Sequence, residues 1–285
     1  MAEERRMPAG ILAPAAPPAK DGHGSSLPGH SESPALAPHD RLGAPAAISP
    51  DVRSLLVQYR DLLLDWNTRH NLTALKTPED VDVRLIAESL RLLPVIDEFI
   101  AATGHRRDQP LRLIDIGTGA GVPGLILAIA RPDLHVTLVE ATGKKVAFLR
   151  HVIAVLDLVQ VQAIHARAED LAHDPAYREQ FDLATARAVG SLPTLLELAL
   201  PFLRTGGWAL FPKGPELGME LAEANRAARY LGGRILRADL LPPDPAQPGL
   251  PVTRLVVAAK LSRTPNRYPR RAGIPAKEPL GRVER

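Results

Sequence analysis

Apolar residues recur at helical spacing along the first clearly patterned stretch, where Val52, Leu55, Leu56, Tyr59, Leu62, Leu63 and Trp66 define one stripe. Ser49-Pro50-Asp51 precedes it as an N-cap, a proline at the first helical position and an acid in the first turn. Thr77-Pro78-Glu79-Asp80 repeats that signal and predicts a second helix running to about Leu93. From Leu111 the period changes. Short apolar runs near 111–116, 135–140, 161–165, 181–186, 207–212, 234–239 and 253–260 read as strands, with helices near 123–131, 143–157, 191–204 and 215–231. Such alternation predicts a mostly parallel sheet covered by helices on both faces. The link over about 240–252 is too short and proline-rich for a crossover helix, so the last two strands are expected to pair antiparallel.

Before Ser49 the pattern is lost. Residues 1–47 are rich in Ala, Pro, Gly and Ser and cannot bury enough apolar surface to offset the entropy of ordering, so a disordered leader is expected. The remainder divides into a helical cap over 48–104, a core over 105–262 and a basic tail over 263–285. With 45% apolar content, 285 residues suffice for one α/β core with additions. The chain has no cysteine, which excludes disulfides, thiolate metal sites and cysteine nucleophiles, and its nine histidines form no His-x-x-x-His pair, so no metal is expected. No apolar run approaches the roughly 20 residues of a membrane span, and the stretch Ile11–Ala16 is too short and proline-broken for an export signal. A cytoplasmic location is therefore expected. Net charge is +3, yet residues 261–285 alone carry +5, a basic tail on a near-neutral body. Either a phosphate-bearing partner or simple solubility accounts for that asymmetry.

The chemistry concentrates where the first strand turns into its helix, in Leu113-Ile114-Asp115-Ile116-Gly117-Thr118-Gly119-Ala120-Gly121-Val122-Pro123-Gly124. Glycines there allow a tight turn and close approach of a ligand to the backbone. Gly119, Gly121 and Gly124 also fit dinucleotide spacing, a weak signal on its own. Asp115 argues for S-adenosylmethionine, since a carboxylate at the strand end attracts a cationic amino group, directly or through water, and repels a pyrophosphate. Glu140 closes the next strand, where a carboxylate can accept both ribose hydroxyls; NAD enzymes use the same device, so it does not discriminate. Ala168 and Glu169 follow the third strand. Arg187 ends the fourth, where it is expected to face the cleft beyond the strand ends. Seven strands with an antiparallel end match a class I S-adenosylmethionine-dependent methyltransferase fold better than a six-stranded dinucleotide-binding sheet.

From about residue 50 to the tail the chain closely resembles the RsmG family, also called glucose-inhibited division protein B. The resemblance rests on Trp66-Asn67, Asn71-Leu72-Thr73, Val83-Arg84, Ser89-Leu90, Asp115 to Gly124 and Gly143-Lys144-Lys145-Val146-Ala147-Phe148-Leu149. It continues through Arg187-Ala188, Lys213-Gly214 and Arg267-Tyr268-Pro269-Arg270-Arg271-Ala272-Gly273-Ile274-Pro275. Members methylate N7 of one guanine in bacterial 16S ribosomal RNA, which implies the rRNA or the 30S particle as partner, and a monomer is expected. The resemblance implies that Gly117 and Val122 line the methionine end of the cofactor and that Glu140, Ala141 and Thr142 surround its ribose. Ala168 and Glu169 would flank the adenine, and Arg187 would close the site. The second helix departs from the family, with Leu85 where a histidine is usual and Glu88 in place of an aspartate. Arg267, Arg270 and Arg271 around Tyr268 are expected to bind RNA, charge and one stacking ring together, with cofactor affinity independent of the tail. An oxidoreductase, a methyltransferase of the same fold with another substrate, and an inert RNA-binding module are the rival readings.

Overall fold

The structure, a computed structural model, describes residues 48–106, 108–187, 189–243 and 249–282. The expected disordered leader lies outside them, as does Ala188 of the Arg187-Ala188 pair.

Helix α1 (Pro50–His70) begins as its sequence requires, with the Ser49 hydroxyl accepting from the Val52 N–H, and ends on Asn71 in the left-handed region. Thr77 caps α2 (Pro78–Val81) in the same way. The expected helix to Leu93 is not continuous. A π-helical stretch covers Asp82–Ala87, α3 spans Glu88–Leu90, and after a turn a further helix, α4 (Leu93–Thr103), completes the cap. Pro94 lies in the first turn of α4, where a missing N–H costs nothing, so it opens a helix and does not merely close one.

The core runs β1 (Leu111–Ile116), α5 (Gly124–Ala130), β2 (Leu134–Glu140), α6 (Gly143–Val155), β3 (Val161–His165), α7 (Ala168–Leu171) and β4 (Phe181–Ala186). It continues with α8 (Leu192–Ala199), β5 (Leu203–Lys213), α9 (Glu220–Tyr230), β6 (Gly233–Leu240), β7 (Arg254–Lys260) and the short α10 (Ile274–Lys277). The strands form one seven-stranded sheet in the order β3-β2-β1-β4-β5-β7-β6. All neighbours are parallel except β7, which is antiparallel to both β5 and β6. The expected hairpin between the last two strands is therefore present.

Successive strand residues point to opposite faces. Leu111 and Leu113 join the layer built with α5, α6 and the cap, while Ile114 and Ile116 join the layer built with α8 and α9. The edge-to-face contact of Phe99 on Trp208, centroids 5.5 Å apart, ties the cap to β5. One boundary differs from expectation: the helix expected to reach 204 ends at Ala199 and β5 starts at Leu203. Pro201 tightens the turn between them, and the register of β4 on β5 shifts between Phe181 and Leu183.

Candidate cofactor and RNA site

Parallel β1, β2 and β4 bring Asp115, Glu140 and Arg187 to one rim of the sheet, with the topological reversal between β1 and β4 opening a crevice there. Asp115 is fully buried. Its Oδ2 accepts from the Thr118 hydroxyl at 2.5 Å and the Gly124 N–H at 2.9 Å, and its Oδ1 accepts from the Thr185 hydroxyl at 2.9 Å. Burial pushes this carboxyl up to about 6, against the pull of those three donors. Asp115 has no exposed surface, and the hydrogen bonds found for its carboxylate go to the loop and to β4.

The loop needs its glycines for stated reasons. Gly117 has φ +64°, and a Cβ there would meet a Val189 methyl at 2.6 Å. Gly124 abuts Asp115 so closely that an added Cβ would lie 2.6 Å from the aspartate Cβ. Gly121 and Val122 sit inside the bend, their N–H groups bonded to the Thr118 carbonyl. From the cap, the Tyr59 hydroxyl donates to the Ala120 carbonyl at 2.9 Å, and burial raises the tyrosine pKa well above its usual range, so it remains a donor. No motif points to Tyr59; it reads as one more apolar residue of the α1 stripe.

Glu140 is buried at the end of β2, its Oε2 accepting from Gly119 N–H at 3.0 Å and its Oε1 from Thr142 N–H at 2.8 Å. A carboxylate offers about four acceptor positions, so two remain for a pair of hydroxyls. Next to it opens a cleft of about 180 Å³, walled by Gly117, Val139, Ala141, Ala168 and Glu169 among others. A narrow slot with mainly apolar walls, beside a hydroxyl-accepting carboxylate and a glycine loop, fits an adenosine group.

Arg187 leaves β4 toward the cap, and its Nη2 donates to the Arg84 carbonyl at 2.8 Å, within the π-helical stretch. Burial lowers its pKa, and the Glu88 carboxylate opposes that effect.

The tail departs from expectation. Tyr268 is buried and offers no stacking face to RNA. Arg270 gives its guanidinium to Glu197, itself wholly buried, at 2.9 and 2.7 Å, with its backbone N–H adding a third bond at 2.8 Å. Both residues fold the segment onto α8; the charge pattern alone could not separate a packed arginine from a free one. Arg267 and Arg271 are exposed, with the Arg267 guanidinium 5.1 Å from the centre of the Tyr268 ring. Sequence reading also missed that the tail reaches the cleft, where Gly273, Pro275 and Ala276 complete its lining. No helix among the described residues is long and apolar enough to cross a membrane.

A doubly wound seven-stranded sheet with its last strand inserted antiparallel, a glycine loop after β1 and a carboxylate closing β2 defines a class I S-adenosylmethionine-dependent methyltransferase. Within that class the chain belongs to the family of rRNA small subunit methyltransferase G (GidB), whose model matches residues 53–240. Ribosomal RNA small subunit methyltransferase G of Roseiflexus castenholzii is 46% identical over 224 residues, covering 78% of this chain and 89% of that protein. Its counterpart in Desulfitobacterium hafniense is 40% identical over 256 residues, covering 89% of this chain and 99% of the other. Among solved structures, the N-terminal domain of human METTL16 in complex with SAH aligns at 14% identity with a TM-score of 0.48, covering 74% of this chain and 83% of that one. This protein is an S-adenosylmethionine-dependent rRNA methyltransferase.

Proposed function

We propose that the enzyme methylates N7 of one guanine in bacterial 16S rRNA, acting as a cytoplasmic monomer on the rRNA or the 30S particle. The supporting observation is the way the site's carboxylates are used. Asp115, Glu140 and Glu169 each accept from donors of the protein's own loops, which engages all three in shaping the cleft. Guanine N7 carries a lone pair and no proton on the edge that major-groove readers use, so its methylation needs alignment and no proton acceptor. S-adenosylmethionine supplies the electrophilic methyl when bound.

The chain's own residues then position and exclude. Gly117, Gly119, Gly121 and Val122 present the backbone to the methionine end, in a bend shaped by Asp115. Glu140 accepts from the ribose hydroxyls, with Ala141 and Thr142 around the sugar, and Ala168 and Glu169 flank the adenine. Arg187 stays on the cofactor or an RNA phosphate, because a cation against the purine would oppose the positive charge that the base acquires on methylation. Arg267 and Arg271 are left as phosphate contacts, which predicts an affinity for RNA that falls with salt. Mass spectrometry of 16S rRNA from cells with and without the protein is the test: one 7-methylguanine should disappear with the gene. Its persistence, or the loss of a different modification, would overturn the assignment.

A further inference from the structure

The tail follows a path that its sequence does not announce. β7 is antiparallel to β5, with Ala259 opposite Trp208, so the chain leaves the sheet at the end remote from the crevice. It then climbs α8. Lys260 Nζ donates to the Leu200 carbonyl at 2.6 Å, Arg270 pairs with Glu197, and the Thr194 hydroxyl donates to the Pro275 carbonyl at 2.8 Å. Partner numbers on and just after α8 fall as tail numbers rise, so the segment runs antiparallel to the helix up to the rim of the sheet. There Gly273, in the left-handed region at φ +84°, donates its N–H to Glu169 Oε1 at 2.9 Å. Gly273, Pro275 and Ala276 line the same cleft as Gly117, Ala141 and Ala168.

We propose that the segment from Arg270 to Ala276 is the outer wall of the adenine subsite, and that Glu197 and Glu169 are the positioning residues that seat it. The inference rests on placing the adenine between Ala168 and Glu169. Glu197 has no exposed surface, so its carboxylate is viable only with Arg270 in place, and the pair fixes the height at which the tail crosses α8. Glu169 is the next fixed point, holding the turn that carries Pro275 and Ala276 over the slot. An apolar lid of this kind excludes water from a purine and adds contact on the face opposite Ala168.

The test uses the full chain and S-adenosylhomocysteine, with no RNA. Wild-type binding by calorimetry checks the cofactor reading itself. Arg270→Ala should weaken that binding at least tenfold, with Arg270→Lys recovering part of it. Because Arg270→Ala strands a buried carboxylate and can lower the melting temperature, a second variant is placed on the lip. Ala276 is exposed, so Ala276→Trp leaves the fold intact, and the indole it introduces should show a saturable emission change on binding beyond any from Trp66 and Trp208 in the wild type. If the wild type binds while Ala276→Trp emission ignores saturating ligand, or folded Arg270→Ala binds with unchanged affinity, the wall is elsewhere and the proposal fails.

Discussion

Asp115 is a buried acid whose immediate partners are two hydroxyls and one backbone N–H, so its ionisation and the shape of the loop are coupled. Protonation would add a donor where three donors already converge, and one would lose its acceptor. Cofactor affinity should therefore hold above pH 6 and fall as pH drops below the carboxyl's value of about 6, and Asp115→Asn should flatten that dependence; calorimetric titration from pH 5 to 8 checks both. Stability runs the other way. A folded-state value of about 6 against 3.8 unfolded means the folded chain binds the extra proton, so this group's contribution is full below 3.8 and lost as pH rises through 6. Tyr59 offers a simpler test. Tyr59→Phe leaves the buried Ala120 carbonyl without its donor at a cost of about 1–3 kcal/mol, which thermal unfolding would register, with a smaller drop in cofactor affinity. At this scale the places of the glycine loop, Glu140 and Arg187 at strand ends were legible because they sit at fixed offsets from apolar runs, whereas the turn of Arg187 toward the Arg84 carbonyl was not. Tyr59, Thr118 and Thr185 were not, since their partners are non-local or their residue types are common.

Between β1 and α5, Gly124 serves packing more than turning. Gly124→Ala would press a methyl against Asp115 Cβ at 2.6 Å and Leu138 Cδ2 at 2.8 Å, costing about 1–3 kcal/mol in urea denaturation and displacing the N–H that Asp115 accepts. Gly104, which ends α4 at φ +63° with nothing within 4 Å, is the control: Gly104→Ala should cost about 1 kcal/mol and leave cofactor binding unchanged. The parallel strands and the final hairpin were readable as apolar runs between turn signals. The break of the second helix was not, because a π-helical stretch keeps the same residues and changes only the hydrogen-bond step. That change bears on the site, since Arg84 within it supplies the carbonyl that holds Arg187. Replacing Arg187 by methionine, with a similar stem and no charge, should weaken S-adenosylhomocysteine or RNA binding while unfolding stays within about 1 kcal/mol of the wild type, as expected for a group whose desolvation opposes its own charge.

In the whole molecule, the cap and the tail converge on one rim from opposite faces, α1 through Tyr59 and the segment after β7 through Gly273. Net charge reported a basic tail but not its path. A count of arginines does not distinguish Arg270, half-buried and paired with Glu197, from Arg267 and Arg271, which remain exposed.

The climb of the tail along α8 also bears on synthesis. Every strand is made by residue 260, yet the last side of the slot arrives only with residues 273–276. A premature stop codon between these points would leave a polypeptide with its sheet complete and its nucleoside slot open to water. Such an allele is expected to behave in cells as a null for the modification, with a product also destabilised where Glu197 loses Arg270.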